Sequence, residues 1–214
     1  MAINYQSNVV PPGMVQGVYN APASVPALND GQSAIARLDP SAKLVVALDS
    51  YKRATYRAGA VNQTFYSTAA AVLLEIVGSA SKTVLIKRIM LWGQCATKYY
   101  AELTLLRCTA ASAGSATAAN KGQHDVNDPA ATAVVNYYSA AAAAGTGNAI
   151  IGAGVMTVAP PAATLLAYPY EWDFCQHMDR PLILRGTGDV IEVYNNTSGL
   201  GAGTFGFEVE WEEE

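Results

Sequence analysis

Two clusters in this chain have residue types and spacing that could support chemistry. In the first, His124, Asp125 and Asp128 stand together before Pro129, and an imidazole beside two carboxylates can bind a divalent ion. A complete metal site needs further ligands, which this window does not supply. An aspartate before a proline also opens turns, where it accepts hydrogen bonds from nearby backbone N–H groups. We therefore predict a turn here rather than a metal site.

The second cluster contains Cys175 and His177, which would share one face of a strand. A catalytic cysteine needs surroundings that activate its thiolate, and only Arg180 lies close in sequence to supply them. We predict a core thiol and a surface imidazole instead. The other cysteines, Cys95 and Cys108, form no CxxC pair with each other or with Cys175. This pattern indicates free buried thiols rather than a disulfide framework or a zinc site.

A glycine-dense segment at 199–203 is the nearest approach to a phosphate-binding motif. It follows a predicted strand, but no helix pattern and no Lys-Ser/Thr pair follow it, so it predicts a turn. The whole chain has two histidines and three cysteines, and 14% of its 214 residues are charged. Few places remain where a catalytic or metal constellation can be assembled. The sequence therefore predicts a protein that is not an enzyme and holds no cofactor.

The last predicted strand shows the clearest alternation in the chain. Phe205, Phe207, Val209 and Trp211 fall on one face, and glutamates dominate the other. We predict that the aromatic face packs in a core. The acidic residues Glu208, Glu210, Glu212, Glu213 and Glu214 are interpreted as a solvated strand face and tail.

The only basic concentration lies at residues 51–57. Basic residues that alternate with aromatic ones can bind single-stranded nucleic acid, but the chain as a whole is acidic, with a net charge of −4. A contact with an acidic protein neighbour is the favoured interpretation, and direct nucleic-acid binding is not expected. The predicted partner-binding residues are Tyr51, Lys52, Arg53, Tyr56 and Arg57.

Strand-length runs at sandwich-like spacing begin after residue 61. We predict an all-β fold: a jelly-roll-like antiparallel β-sandwich of about eight strands over residues 61–214. Two long connections, 109–128 and 139–163, are rich in Ala, Ser, Thr and Gly and are expected to lie flat against another subunit. The predicted strands are Val72–Val77, Lys82–Trp92, Ala101–Cys108, Ala133–Tyr138, Leu165–Tyr168, Leu182–Arg185, Val190–Asn195 and Phe205–Trp211.

Residues 1–60 differ from the rest because prolines and glycines interrupt regular structure throughout. We predict an extended N-terminal arm that contacts other chains, with one short strand at Leu44–Leu48. No segment reaches the roughly 18 uncharged apolar residues of a membrane helix. The start of the chain lacks the layout of a secretion signal, so we expect the protein to stay in the cytoplasm where it is made.

Four segments carry a resemblance to a known class of proteins. Residues 79–89, 128–133, 180–186 and 207–212, supported by arm residues 28–32 and 38–44, resemble virion structural proteins of tailed bacteriophages. The resemblance covers roughly residues 62–214. It implies a jelly-roll-like sandwich that cements the outside of a capsid. It also implies binding to a major capsid protein, association as a homotrimer, and a location on the virion surface.

Two alternatives remain open. The protein could be a tail, baseplate or fibre-associated component of the virion. It could also be a carbohydrate-binding module, because jelly rolls host lectins. In that case aromatic side chains would stack on sugars, although adjacent tyrosines in a strand point to opposite faces. The candidate stacking residues are Trp92, Tyr99, Tyr100, Tyr137, Tyr138, Tyr168, Tyr170 and Trp172.

Overall fold

The computed structural model describes residues 37–38, 44–45, 53–65, 69–160, 168–175, 180–198 and 203–214, and every helix or strand assigned among them is a strand. The all-β prediction is confirmed. In chain order the strands are β1 (Arg37–Leu38), β2 (Leu44–Val45), β3 (Ala54–Phe65), β4 (Ala71–Val77), β5 (Thr83–Cys95), β6 (Tyr99–Cys108), β7 (Ala116–Ala118), β8 (Asn120–Gln123), β9 (Val134–Tyr138), β10 (Ala149–Val158), β11 (Tyr170–Asp173), β12 (Leu182–Arg185), β13 (Val190–Asn195) and β14 (Gly203–Glu213).

The chain divides into two compact units, Met1–Leu48 and Asp49–Glu214. In the first unit, β1 and β2 pair antiparallel, with Leu38 opposite Leu44. The second unit contains all the other described strands. Since β3 starts at Ala54, residues 54–60 form a sandwich strand, although the sequence assigned them to the arm. Alanine and glycine fill much of this strand and hide its alternation.

Two antiparallel sheets of six strands each make up the second unit. The first sheet has the order β11-β5-β14-β3-β8, and β12 also pairs with β5. The second sheet has the order β10-β6-β13-β4-β9-β7. Successive strands from β3 to β6 alternate between the sheets, so strands distant in sequence become neighbours. The predicted sandwich of two antiparallel sheets is confirmed.

The core lies between the two sheets, and β14 supplies its largest side chains. Phe205, Phe207, Val209 and Trp211 are all buried, which confirms the predicted alternation of this strand. Tyr56 of β3 stacks on Trp211, with ring centroids 5.6 Å apart. The central position of β14, with β5 on one side and β3 on the other, keeps this apolar face buried.

The acidic end of β14 departs from the predicted solvated face and tail, because Glu212 and Glu213 are buried. Glu213 accepts hydrogen bonds from Trp211 Nε1 at 3.0 Å, from the backbone N–H of Ala133 at 2.9 Å, and from Thr132. Burial alone raises the pKa of Glu213, but these hydrogen bonds outweigh burial and lower it. Glu213 thus joins β14 to the segment before β9.

Seven of the eight predicted strands are confirmed with small shifts at their ends. The eighth, 165–168, falls mostly outside the described residues, and its last residue, Tyr168, is not in a strand. The two predicted long connections contain β7, β8 and β10 instead of irregular chain throughout. Small side chains conceal these strands, because alanine and glycine give no apolar period. Of the predicted turn at 199–203, residues 199–202 lie outside the described residues.

Candidate interaction surfaces

Ion pairs between neighbouring strands cover the outward face of the first sheet. Arg57 of β3 lies 3.0 Å from Glu210 of β14, and Arg88 of β5 lies 2.6 Å from Glu208. Arg88 also lies 3.6 Å from Glu171 of β11. The alternation of β14 turns a glutamate outward at every second position, between basic residues on both flanking strands. We call this surface the ionic face; its members are Arg53, Arg57, Lys87, Arg88, Glu171, Glu208, Glu210, Glu212 and Glu214.

The ionic face contains part of the predicted partner-binding cluster. Arg53 lies 2.8 Å from Glu214, so both described arginines of the cluster have partners within the chain. Their side chains are 38% and 46% exposed, and each such exposed pair contributes less than about 1 kcal/mol to stability. Tyr51 and Lys52 lie outside the described residues. The arginines therefore sit in a surface of mixed charge rather than in a basic patch.

Tyr56 does not belong to the predicted contact surface. The alternation of β3 turns Arg57 outward and Tyr56 inward, where the tyrosine is fully buried. Its hydroxyl donates a hydrogen bond to the carbonyl of Pro129 at 2.9 Å. Burial raises the pKa of Tyr56. Tyr56 is a core residue that fixes the turn around Pro129.

An open groove of about 620 Å³ runs beside the ionic face, where β8 ends and leaves part of β3 uncovered. Trp92 and Tyr137 supply aromatic surface, and Arg57, Asn120 and Glu208 supply polar groups. The indole of Trp92 lies over Gly206, where a Cβ would come within 2.5 Å of the ring. Glycine is needed at this position because any side chain would displace the indole.

On the second sheet, the outward side of β4 and β13 holds two buried glutamates that the sequence did not single out. Glu75 and Glu192 lie directly opposite each other in the strand register. Glu75 accepts hydrogen bonds from the backbone N–H of Ser112 at 2.8 Å and from Tyr138 Oη at 3.0 Å. Glu192 accepts one from the backbone N–H of Gly145 at 3.0 Å. We call these two residues the carboxylate pair.

The two small-residue connections cover the carboxylate pair. Ala142 is buried against Val72 and accepts a backbone hydrogen bond from it at 2.9 Å. Ser112 Oγ donates to the carbonyl of Ala143 at 2.7 Å, which ties the two connections together. These parts of the connections lie on their own sheet, whereas the sequence analysis placed them against another subunit. Small residues are needed because the backbone itself must reach the carboxylates.

The carboxylate pair lies in an acidic, poorly solvated environment. Burial raises the pKa of Glu192, and the nearby Glu75 raises it further. Burial and the negative charge of Glu192 also raise the pKa of Cys108 to about 12. None of the ion pairs among the described residues involves either carboxylate. Glutamate in a strand ordinarily indicates the solvent side, so the sequence carried no signal for this cluster.

The clusters around His124 and around Cys175 have structural roles in the described residues. A turn does occur here, but Asp125 opens it rather than Asp128: Asp125 Oδ1 accepts the backbone N–H of Asn127 at 2.9 Å, and the Asp125 carbonyl accepts the N–H of Asp128 at 3.0 Å. Within the described ranges, no three His, Cys, Asp or Glu side chains gather as metal ligands would. Cys95 and Cys108 are buried as predicted. Cys175 is exposed, which corrects the prediction for that thiol, and His177 lies outside the described residues.

Large exposed apolar side chains concentrate on β6 and β10 of the second sheet. Ile150 is 69% exposed, Val155 53% and Tyr100 57%, and Ile151 is also exposed. The register places Val155 opposite Glu102 and Tyr100 opposite Thr157. We call Tyr100, Ile150, Ile151 and Val155 the apolar patch. β10 is also an edge strand, because β6 is its only ladder partner among the described strands.

A scan against protein-family models, a search of curated proteins and a search of solved structures each found no match to this chain. The residues that the structure describes include no helix with the length and hydrophobicity needed to cross a membrane.

Proposed function

We propose that this protein is a structural component of a tailed-bacteriophage virion, of the capsid decoration type. It binds the outer surface of the major capsid protein and stabilises the shell through repeated contacts between subunits. The observation that carries this proposal is the apolar patch, in which four large side chains are exposed on the neighbouring strands β6 and β10. Grouped apolar residues at a protein surface mark contacts with other proteins.

The strand order favours the jelly-roll form that the sequence resemblance implies. If β7, β8, β9 and β11 are set aside, the first sheet contains β3-β14-β5-β12 and the second contains β4-β13-β6-β10. Each sheet thus interleaves early and late strands of the chain. Two interlocked Greek keys produce this arrangement, and they define a jelly roll. We infer that the remaining strands extend a jelly roll at its edges.

Ties between distant parts of the chain suit a cementing role. The ionic face joins strands that lie far apart in sequence, and Glu75 of β4 accepts hydrogen bonds from Asn136 and Tyr138 of β9. A rigid subunit loses little conformational entropy when it docks, so even a patch of a few residues contributes to binding. Repetition over many equivalent sites of a particle multiplies the effect of each weak contact.

The proposal can be tested by co-sedimentation of the purified protein with undecorated capsids over a salt series. We expect binding that persists at high salt, since an apolar contact is not screened. Tyr100→Ala should weaken binding at least tenfold, whereas Val126→Ala, at an exposed residue of a turn, should not change it. Failure of the wild-type protein to bind capsids, or full binding by Tyr100→Ala, contradicts the proposal.

The same assay tests the basic cluster from the sequence analysis. If this cluster contacts an acidic capsid surface, replacing Lys52, Arg53 and Arg57 with alanine should weaken particle binding. The loss should be larger at low salt, where the attraction between charges is less screened.

Location by electron cryo-microscopy separates the two virion proposals. A decoration protein occurs at every equivalent shell position, whereas a tail or baseplate component occurs only at one vertex.

A carbohydrate-binding function is the second candidate, and the groove at Trp92 favours it. A flat indole beside Arg57, Asn120 and Glu208 combines an apolar platform with hydrogen-bonding groups, the pairing that sugars require. Tryptophan fluorescence during titration with chitotriose, maltotriose and cellotriose tests this function. Trp92→Ala should abolish any binding, whereas Trp172→Ala should retain it. Absence of binding to all three sugars removes this candidate.

A further inference from the structure

We propose that the groove beside the ionic face binds a neutral, extended oligosaccharide, which lies across the strands from Trp92 to Gly122. This inference rests on the carbohydrate-binding function proposed for the groove, and it names the class of sugar and the path of the ligand. The outward residues of the groove belong to the first sheet, whereas the apolar patch lies on the second. A bound sugar therefore leaves the patch free for a capsid contact.

The floor beneath and beside Trp92 contains glycines from three neighbouring strands. Gly206 of β14 lies opposite Trp92 of β5. Gly59 of β3 lies opposite Asn120 of β8, and Gly122 follows Asn120 at the next outward position of β8. From Gly206 to Gly122 this line crosses the strands obliquely over roughly 16 Å. A floor of this length matches a short chain of sugar units rather than a single ring.

These glycines keep the floor at the level of the backbone. A Cβ at Gly206 would come within 2.5 Å of the Trp92 ring. A Cβ at Gly59 would come within 2.8 Å of the carbonyl oxygen of Phe207. At Gly122 a Cβ would meet nothing within 4 Å, so this end of the groove is open. The indole therefore lies low over the sheet and forms an apolar platform at one end of the floor, on which the nonpolar face of a sugar ring can pack.

Polar side chains border the floor, and their charges are already balanced. Arg57 lies 3.0 Å from Glu210 and 3.6 Å from Glu208. An anionic sugar would need an unpaired cation, which this arginine does not provide. Its guanidinium carries five N–H donors, more than the two ion pairs use, and the carboxylate of Glu208 and the amide of Asn120 add acceptors. Sugar hydroxyl groups both donate and accept hydrogen bonds, so a neutral sugar fits these walls.

The groove suits a sugar better than an extended peptide. A peptide strand binds by pairing with backbone groups at a sheet edge. Along the floor, β14 pairs with strands on both sides, and so does Gly59 of β3. Where β3 is uncovered, Gln63 Nε2 already donates to the carbonyl of Val61 at 2.6 Å, beside a register shift. Hydrogen bonds to a ligand must therefore come from side chains, as they do to sugar hydroxyl groups.

Isothermal titration calorimetry with neutral and charged sugars tests this inference. We expect at least one of cellotriose, chitotriose and maltotriose to bind about tenfold more tightly than its own monosaccharide, and more tightly than trigalacturonate. Gly122→Tyr, which fills the open end of the floor, should weaken binding about tenfold or more. The matched control is Gly188→Tyr, which adds the same side chain at an exposed turn where a Cβ meets one atom at 3.5 Å. It should bind like the wild type.

Thermal unfolding shows whether both tyrosine variants keep the fold. If Gly122→Tyr does not, Asn120→Ala decides instead, because loss of this exposed amide should weaken binding and leave stability unchanged. Full binding by the deciding variant overturns the inference, and so does a monosaccharide or trigalacturonate that binds as tightly as the neutral trisaccharide. In those cases a loss of binding in Trp92→Ala keeps the carbohydrate function, at a shorter site. Absence of binding to every sugar removes both, whereas capsid co-sedimentation tests the decoration function separately.

Discussion

Glu75 and Glu192 lie opposite each other on neighbouring strands, both buried, and their described hydrogen bonds come from backbone N–H groups and neutral side chains. Side chains directly opposite in an antiparallel ladder have Cβ atoms about 5 Å apart, so two negative charges here repel strongly. A proton on Glu192 removes this repulsion. The carboxylate pair therefore makes the stability of the sandwich depend on pH.

The direction of this dependence follows from the raised pKa of Glu192. A carboxyl whose pKa is higher in the folded state binds its proton more tightly when folded, so it destabilises the fold as pH rises above the unfolded value of 4.5. We expect Tm to fall as pH rises above 4.5, and Glu192→Gln to flatten this fall. Calorimetry over that range is the measurement. Glu171→Gln, on the ionic face, is the control and should keep the wild-type slope.

Glu213 should act in the opposite direction and in a different range. Its pKa is lowered in the folded state, so its stabilising contribution is present above 4.5 and is lost as pH falls through the folded value. The effect of Glu192 thus lies above pH 4.5, and that of Glu213 lies below it. A Tm that keeps rising as pH falls below 4 would contradict the assignment for Glu213.

Trp211→Ala should lower the free energy of unfolding by about 3–5 kcal/mol. It removes a buried aromatic that stacks on Tyr56, and it also removes the indole donor to Glu213. Glu210→Ala, on the other face of β14, breaks exposed ion pairs and should cost less than about 1 kcal/mol. Urea unfolding of both variants gives the comparison. Equal losses would contradict the assignment of the two faces.

Gly145→Ala should destabilise the fold by roughly 1–3 kcal/mol. The added methyl group would overlap the carbonyl oxygen of Ala110 and lie 2.9 Å from Glu192 Oε1. Gly122→Ala is the matched control, because a methyl group there meets nothing within 4 Å. Thermal unfolding should separate the two. Tolerance of alanine at both positions would mean that the connection does not press on the carboxylate pair.

Cys175 should be the one described cysteine that reacts with a thiol reagent while the protein is folded. Burial raises the pKa of all three thiols, that of Cys108 to about 12, so exposure makes the difference: the Cys175 side chain is exposed, whereas Cys95 and Cys108 are buried. Mass spectrometry after iodoacetamide treatment at pH 8 should find one adduct on the native chain. After denaturation, three adducts are expected. Early labelling of Cys108 would indicate that the cover over the carboxylate pair opens readily.

Sequence patterns predict the fold of this chain where side chains alternate in character. The alternation of Phe, Val and Trp with glutamates predicts β14 over Phe205–Trp211, and the strand extends two residues further at each end. β3 and β10 were missed because alanine and glycine occupy many of their positions and leave no apolar period. Alternation in the sequence identifies the two faces of a strand, but it gives no signal where both faces consist of small residues.

The candidate surfaces were less predictable, since they depend on which strands become neighbours. Arg57 looked like a free cation in the sequence, but Glu210 lies 153 residues further along the chain and pairs with it in the sheet. Glu75 and Glu192 had the appearance of ordinary surface residues. Only the pairing of β4 with β13, under a cover of small residues, makes them a buried pair.

The place of β14 at the centre of the first sheet has a consequence for biogenesis. β3 and β5, synthesised much earlier, each pair with β14 along most of their length. While the ribosome is still making residues 203–213, both strands therefore lack their central neighbour. Their unpaired backbone groups and apolar side chains are exposed. Contacts so distant in sequence also form slowly. Folding of this domain is thus expected to wait for release of its final strand, and nascent chains stalled before it should be the species that chaperones bind.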